Sequence, residues 1–162
     1  MKRCDDMELE EDCLTKKFRQ KAEMLCAREE YCGEDVRQKL IKWGASATQI
    51  DEIIAHLYEQ KYLDDERYAK LYCVGKNRQL KWGRVKIAYQ LRMKRIKEQY
   101  IEDGLAEIDE EEYSAGLLKI AQQKWSLIRE EDRYIKEGKL CGFLQTKGYE
   151  IQEIRNIIKL LQ

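Results

Sequence analysis

Proline is absent from this 162-residue chain, and histidine occurs once, at His56. A chain of this length and average composition would hold about eight prolines, so nothing here interrupts long helices and the usual turns of an all-β protein are missing. No apolar run approaches the roughly 18 residues that a membrane-spanning helix needs. The acidic start of the chain also lacks the apolar stretch of a secretory signal, which predicts a protein of the cytoplasm with no membrane partner.

An excess of one charge sign is lacking as well, because 31 basic residues balance 31 acidic ones. The chain therefore does not attract nucleic acid through its overall charge. The balance hides a segregated pattern. Residues 76–97 hold nine bases and no acid, and residues 98–112 hold eight acids and no base.

Catalytic and metal-binding patterns are missing too. The sequence contains no nucleophile elbow, phosphate-binding loop, zinc-protease helix or dinucleotide fingerprint. None of its six cysteines forms a C-x-x-C pair, and a lone histidine supplies little further metal-binding capacity. We therefore predict a protein that is not an enzyme and has no metal site, disulfide framework, cofactor or small-molecule substrate.

What the chain does contain is an internal repeat. Residues 36–57, 87–108 and 140–161 align at offsets of 51 and then 53, and only Gly104 interrupts an apolar column. The aligned columns are Val36, Ile87 and Leu140; Leu40, Leu91 and Leu144; Ile50, Ile101 and Ile154; Ile54, Leu105 and Ile158; and Leu57, Ile108 and Leu161. This spacing indicates a pair of helices in each copy, each with one apolar stripe.

The gap between the two helices of each pair carries the residues of helix ends. Gly44 and Gly148 occupy the same column, where a glycine can close a helix in the left-handed conformation. Arg95 occupies that column in the middle copy, so a left-handed backbone there would be strained by roughly 1 kcal/mol. Ser46 and Gln49 have the spacing of a capping box at the start of the next helix.

A further amphipathic segment precedes each pair, and the last two such segments begin with acids that suit a helix N-terminus. The sequence therefore predicts an all-α fold of three tandem three-helix repeats, at residues 14–60, 64–106 and 109–161. Each repeat is too small to bury its own stripes, so we expect the repeats to stack as a short, curved, elongated solenoid. Residues 1–13 are predicted to form a mobile acidic tail.

The basic segment 76–97, called the basic block below, is the candidate contact surface. It is either a solvated face that pairs with the acids after it or a docking surface for phosphates or an acidic protein groove. Aromatic residues among the bases offer stacking surfaces for nucleotides. The candidate contact residues are Lys76, Arg78, Lys81, Trp82, Arg84, Lys86, Tyr89, Arg92, Lys94, Arg95 and Lys97.

One stretch of the chain resembles a known family. The string YLDDERYA at residues 62–69, the basic residues around Gly83 and the Lys-Arg-Ile helix end at 94–96 resemble the signature of the RecX family of bacterial regulatory proteins. The resemblance extends over about residues 20–161 and includes the family's architecture of three three-helix repeats. Arg95 is a departure, because the family usually has glycine there.

The resemblance implies a non-enzymatic regulator that binds the RecA–DNA filament and inhibits recombinase activity in recombination and the DNA-damage (SOS) response. It supplies no catalytic residues, and its signature positions are expected to be structural. Those positions are Tyr62, Leu63, Asp64, Asp65, Arg67, Tyr68, Ala69 and Gly83. The assignment of contact to the basic block rests on charge and not on the family motif.

Two other functions remain open from the sequence. A nucleic-acid-binding module that acts without RecA would draw most of its affinity for single- or double-stranded DNA from the basic block. A helical scaffold for another protein would bind through apolar residues and have no affinity for DNA. Binding to a RecA filament, compared with binding to bare single-stranded DNA, separates all three functions.

Overall fold

A computed structural model of the chain describes the backbone of residues 4–161 and the side chains of residue 10 and residues 12–161. Within these residues there are nine helices and no strand. The helices are α1 (Cys4–Arg28), α2 (Gly33–Lys42), α3 (Ala47–Glu59), α4 (Asp65–Leu80), α5 (Arg84–Met93), α6 (Glu98–Ala106), α7 (Glu110–Leu127), α8 (Arg133–Lys147) and α9 (Ile151–Leu160). The predicted all-α helical repeat fold is confirmed. None of the helices in this described part is long and apolar enough to cross a membrane.

The described residues near the beginning of the chain are helical. Helix α1 starts at Cys4 and includes residues 4–13, and the mobility of the predicted tail over residues 1–13 stays a prediction. Residues 1–3 of the predicted tail lie outside the described residues. Acidic residues near a helix N-terminus complement the helix dipole, which makes an acid-rich sequence compatible with the first turns of a helix.

Two compact units divide the chain between Tyr68 and Ala69, within α4. This division does not follow the predicted repeats, whose boundaries stay a prediction. In the first unit, α1 contacts both α2 and α3, and α2 contacts α3. The core of this unit consists of Ala22, Val36, Leu40, Ile50, Ile53, Ile54, Leu57 and Leu63.

In the second unit, α5 contacts α6, and α7 contacts both α8 and α9. Its buried apolar residues are Ala69, Cys73, Ile87, Ala88, Leu91, Ile96, Ile101, Ile108, Tyr113, Leu117, Ala121, Ile128, Leu140, Leu144, Tyr149, Ile154 and Ile157. Each fully buried leucine or isoleucine contributes roughly 1.5–3 kcal/mol to folding, so the buried residues of the stripes are a substantial part of the apolar driving force.

The predicted apolar columns differ in how deeply they are buried. The columns that begin at Val36, Leu40 and Ile50 are buried in all three copies. The columns that begin at Ile54 and Leu57 are buried in the first copy but only partly buried in the last, near the end of α9. The helical period predicted from the sequence is therefore confirmed. Burial along the columns is most uniform next to the turn inside each helix pair.

Gly104 interrupts its column because α6 approaches α4 closely at this point. A Cβ atom on Gly104 would lie 2.8 Å from the carbonyl oxygen of Ala69 and 2.9 Å from Sγ of Cys73. Real Cβ atoms do not approach other atoms so closely, so a side chain here would push the two helices apart. The isoleucine of the other copies is excluded for this reason.

All three turns inside the helix pairs have the same backbone geometry. Gly44, Arg95 and Gly148 have φ angles of 88°, 59° and 94°, so the left-handed conformation is present in every copy. The N–H of each donates to the carbonyl three residues earlier at 2.9–3.0 Å, and the next N–H donates to the carbonyl five residues before it at 3.0–3.2 Å. These two hydrogen bonds form the Schellman motif, in which a left-handed residue closes a helix. The predicted Ser46–Gln49 capping box is also present.

Candidate interaction surface

The basic block occupies the end of α4, the loop 81–83, the whole of α5 and the turn 94–97 before α6. All of these elements belong to the second compact unit. Their backbone is fixed by contacts with other elements of that unit, which decide where each predicted contact residue lies.

The loop between α4 and α5 is held by hydrogen bonds from three directions. Lys81 is left-handed at φ 54°, and its carbonyl accepts a bond of 2.9 Å from the Tyr149 hydroxyl. The Asn77 side-chain amide donates to the Trp82 carbonyl at 3.0 Å. The Gly83 N–H donates to the Lys147 carbonyl at 2.8 Å. A non-glycine residue in this conformation is strained and persists only where its surroundings hold it, as they do here.

Three arginines of the basic block form ion pairs within the chain. Nε of Arg78 donates to Glu112 at 2.8 Å, which raises the pKa of the guanidinium. Both Nε and Nη2 of Arg92 donate to Glu98, at 2.9 and 2.5 Å. Both pairs are exposed, so solvent screens them and they add little to stability. Their main consequence is that these guanidinium groups already have a carboxylate partner.

Arg84 lies at the centre of a network that joins α5, α7 and α9. Its guanidinium stacks on the Tyr113 ring at 4.0 Å and contacts Glu110 at 2.5 Å and Glu153 at 3.4 Å. The Tyr113 hydroxyl donates to Glu153 at 3.2 Å and accepts the Arg84 N–H at 3.3 Å. Burial raises the pKa of Tyr113, so the hydroxyl stays protonated and can donate. These contacts give Arg84 a position inside the fold that the sequence did not predict.

The lysines and aromatic residues of the basic block range from half-buried to exposed. Half-buried Trp82 has the ammonium of Lys86 at 4.6 Å and that of Lys76 at 5.4 Å from its ring centre. Such cation–π contacts contribute about 0.5–1 kcal/mol at exposed sites. Tyr89 is 56% exposed on the outer face of α5, and Lys97 is exposed in the turn that follows α5.

A cleft of about 360 Å³ lies between the end of α4 and the middle of α7. It is lined by Asn77, Arg78, Lys81, Glu112, Ala115, Gly116 and Lys119. The Lys81 side chain lies against Gly116, where a Cβ atom would be 3.3 Å from Cδ of the lysine. Because Glu112 shares the cleft with the bases, the cleft carries both charge signs and is not a purely cationic site.

The residues of the family signature lie at packing and capping positions. Leu63, Tyr68 and Ala69 are buried. Oδ1 of Asp64 accepts the Arg67 N–H at 2.9 Å at the start of α4. Tyr62 packs against the core of the first unit. The carboxylate of Asp65 accepts a hydrogen bond from the Tyr58 hydroxyl at 2.8 Å, and Nε of Arg67 donates to Glu30 at 2.7 Å.

Gly83 differs from the other signature residues because its role depends on close backbone contact. A Cβ atom on Gly83 would overlap the carbonyl of Gly148, which also accepts the Val85 N–H at 3.0 Å. The start of α5 therefore lies directly against the turn between α8 and α9. Only glycine at position 83 permits this approach.

Other titratable groups have structural surroundings. Nε2 of His56 lies 2.7 Å from Oε1 of Glu23, which joins α3 to α1. Burial raises the pKa of Cys73 to about 12, and burial together with nearby Glu30 raises that of Cys26 to about 11. Both thiols stay protonated at neutral pH and are poor nucleophiles. Among the residues that the structure describes, no three side chains that could ligate a metal come together.

Two family models match the chain. The model of the second three-helix domain of RecX matches residues 64–105, and the model of the third matches residues 110–158. Both matched ranges lie in the part of the chain that contains the basic block and the α8–α9 turn.

Curated relatives and solved structures give a consistent result. The regulatory protein RecX of Clostridium perfringens (strain 13) is 34% identical over 130 residues, which are 79% of this chain and 60% of that protein. The chain thus spans about 60% of the length of this relative. Regulatory protein RecX of Pelodictyon phaeoclathratiforme is 33% identical over 129 residues, 79% of this chain and 78% of that protein.

The solved structures support the fold. The crystal structure of RecX from Lactobacillus salivarius matches with a TM-score of 0.77 and 22% identity over 91% of this chain and 96% of that one. A second crystal structure, of regulatory protein RecX, matches with a TM-score of 0.80 and 23% identity over 88% and 72%. The family models together cover more than half of the chain, and the Pelodictyon relative is covered over most of its length. This chain belongs to the RecX family of regulatory proteins.

Proposed function

We propose that the chain binds the RecA–DNA filament and inhibits recombinase activity during recombination and the DNA-damage response. Membership of the RecX family carries this proposal, because the curated relatives are named regulatory proteins. The chain would act in the cytoplasm through binding and not through catalysis. The chain spans about 60% of the length of its clostridial relative, so the activity and the partner of such a longer protein are proposals for this chain.

The basic block is the proposed contact surface, and its lysines are the proposed leading contacts. Arg78, Arg84 and Arg92 each have a carboxylate partner within the chain, which must be displaced before the guanidinium can bind a new anion. Lys86, on α5, and Lys97, in the turn after it, have no such carboxylate in the described part of the chain. The ammonium of Lys97 instead lies near the Tyr100 ring, at 5.9 Å.

The rival nucleic-acid module and scaffold functions predict different affinities. A module that recognises DNA alone would bind bare single strands as tightly as the filament, with a salt slope of about −0.7 per phosphate neutralised. A scaffold for a different protein would bind neither. A RecA-directed regulator would bind the filament more tightly and with a shallower salt dependence.

The deciding experiment is an equilibrium binding titration of the full chain with two ligands. One ligand is a RecA filament assembled on a labelled single-stranded oligothymidylate with a slowly hydrolysed ATP analogue, and the other is the bare oligonucleotide. We expect tighter binding to the filament and inhibition of DNA-dependent ATP hydrolysis by RecA. Equal affinity for the two ligands, or binding to neither, would contradict the proposed function.

Charge reversal then tests the proposed surface. Lys86→Glu with Lys97→Glu should weaken inhibition of RecA about tenfold, equivalent to 1.4 kcal/mol. Lys16→Glu with Lys17→Glu makes the same change in net charge on exposed positions of α1 and serves as the matched control. Both double variants should retain the parent's helical circular dichroism. If the two pairs weaken inhibition equally, only net charge matters and the basic block is not the contact surface.

A further inference from the structure

An apolar stripe lies exposed on the outer face of α5. Val85, Tyr89 and Met93 are 51%, 56% and 63% exposed. Their spacing of four residues places them one above another on the same side of the helix. The opposite side of α5 carries Ile87, Ala88 and Leu91, which are buried and supply the apolar face that the fold requires. The exposed stripe therefore lies outside the core.

The equivalent helices of the other two copies lack this stripe. At the columns of Val85, Tyr89 and Met93, α2 has Glu34, Gln38 and Lys42, and α8 has Gly138, Gly142 and Thr146. The helix-pair fold is thus built twice in this chain with polar or small residues at these positions. The apolar residues on α5 are a special feature of the middle copy, and a contiguous exposed apolar patch of this kind marks an interaction surface.

The surroundings of the stripe indicate the charge of its partner. The stripe rises by about 12 Å from Val85 to Met93. It ends at the turn 94–97, where Lys94, Arg95 and Lys97 follow Met93 without an intervening acid. Helix α5 itself carries three bases and no acid. A complementary partner therefore presents apolar side chains along the helix and carboxylates beside the turn.

The composition of the stripe favours protein over nucleic acid as this partner. Nucleotide bases bind by stacking on aromatic rings, and Tyr89 is the stripe's single aromatic residue. Val85 and Met93 are aliphatic and suit the apolar side chains of a protein.

We propose that Val85, Tyr89 and Met93 form a docking stripe for an acidic protein segment with an apolar face, presented by the RecA filament. This inference rests on the proposed function and adds to it the kind of contact and the helix that makes it. Tyrosine anchors at the centre of such interfaces often carry much of the binding free energy, so Tyr89 is expected to be the principal contact.

The test replaces the stripe by the residues of the first copy. The triple variant Val85→Glu, Tyr89→Gln and Met93→Lys leaves the net charge unchanged and uses side chains that α2 carries at the same columns, where Gln38 and Glu34 form a hydrogen bond of 2.9 Å. We expect at least a tenfold loss of affinity for the RecA filament and no change for bare oligothymidylate. The matched control is Ile151→Gln with Leu160→Gln, which removes two exposed apolar residues of α9. It should bind the filament as the parent does.

Single substitutions separate docking from folding. The Tyr89 hydroxyl has no hydrogen bond in the part of the chain that the structure describes, so Tyr89→Phe should bind normally whereas Tyr89→Ser should bind weakly. Thermal melts should show both variants folded like the parent, and if the triple variant does not fold, this pair decides alone.

Three results would overturn the docking stripe while leaving the proposed function intact. The first is unchanged filament binding by a folded stripe variant. The second is an equal loss of affinity for bare oligothymidylate, which would mean that bases stack on Tyr89. The third is an equal loss of filament affinity in the α9 control. If the parent does not bind the filament, the proposed function fails first and the docking stripe fails with it.

Discussion

The turn between α2 and α3 and the turn between α8 and α9 have the same backbone but different surroundings. Each contains a left-handed glycine, Gly44 or Gly148, and the same pair of closing hydrogen bonds. A Cβ atom on Gly44 would meet nothing within 4 Å. A Cβ atom on Gly148 would overlap Cβ of Lys86 and lie 2.6 Å from the Lys86 nitrogen. One glycine thus satisfies a conformational requirement, and the other also permits two backbones to touch.

The difference follows from what each turn contacts. The α8–α9 turn lies against the start of α5, where Gly83 and Val85 donate to the carbonyls of Lys147 and Gly148 at 2.8 and 3.0 Å. Glycines at 83 and 148 face each other, so neither side can accept a side chain. The α2–α3 turn is exposed at Gly44 and needs only the left-handed angle.

Gly148→Ala tests the comparison with the largest expected effect. Left-handed strain of about 1–2 kcal/mol adds to overpacking of about 1–3 kcal/mol, so we expect the free energy of unfolding to fall by about 2–5 kcal/mol. Urea melts followed by circular dichroism measure this change. The control is Gly142→Ala in α8, where a Cβ atom meets open space and alanine should stabilise the helix by about 0.5–1 kcal/mol. A loss at position 148 no greater than at position 44 would disprove the contact argument.

Gly44→Ala should cost less, about 1 kcal/mol, because only the left-handed strain applies and the stiffer unfolded chain offsets part of it. Asparagine tolerates the left-handed region better than alanine does. We therefore expect Gly44→Asn to recover much of the loss in urea melts, whereas Gly148→Asn should remain as unstable as Gly148→Ala. Recovery at both positions would mean that the two turns impose the same requirement.

These two turns also show how far sequence reasoning reaches. The shared glycine column predicted the left-handed turns at Gly44 and Gly148, because the signal is local and is repeated. At Arg95 the sequence left the backbone open, and the structure shows the same left-handed turn. The contact between Gly83 and Gly148 has no such signal, since the two residues belong to different helix pairs. The close approach at Gly104 was visible only as a broken column, without its cause.

The candidate surface was likewise predicted only in part from the sequence. Segregation of charge located the basic block, whose exposed bases are Arg78 near the end of α4, Arg92 on α5, and Arg95 and Lys97 in the turn after α5. Pairing of the block with the acids after it was one of the two interpretations left open, and Glu112 and Glu110, which bind Arg78 and Arg84, belong to those acids. The individual pairs were not predicted, and neither was Glu153, which lies 69 residues from Arg84 along the chain. Only the packing of α7 and α9 in the second unit brings these carboxylates to the block. Comparing α5 with its equivalents could have found the exposed stripe, because the alignment already contains those columns.

Arg95→Gly extends the comparison to the third turn and has the smallest expected effect. Arg95 adopts φ 59° with the closing hydrogen bonds of the two glycine turns, at the cost of about 1 kcal/mol of strain. Glycine removes that strain but gives the unfolded chain more conformational freedom, which lowers the free energy of unfolding by about 0.4–1 kcal/mol. We expect the free energy of unfolding to rise by less than about 1 kcal/mol or to stay the same. Arg95→Ala is the control, because it removes the guanidinium but keeps the strained backbone. A clear loss in Arg95→Gly that Arg95→Ala shares would assign a stabilising contact to the side chain, and a loss confined to the glycine variant would show that the turn is unstrained.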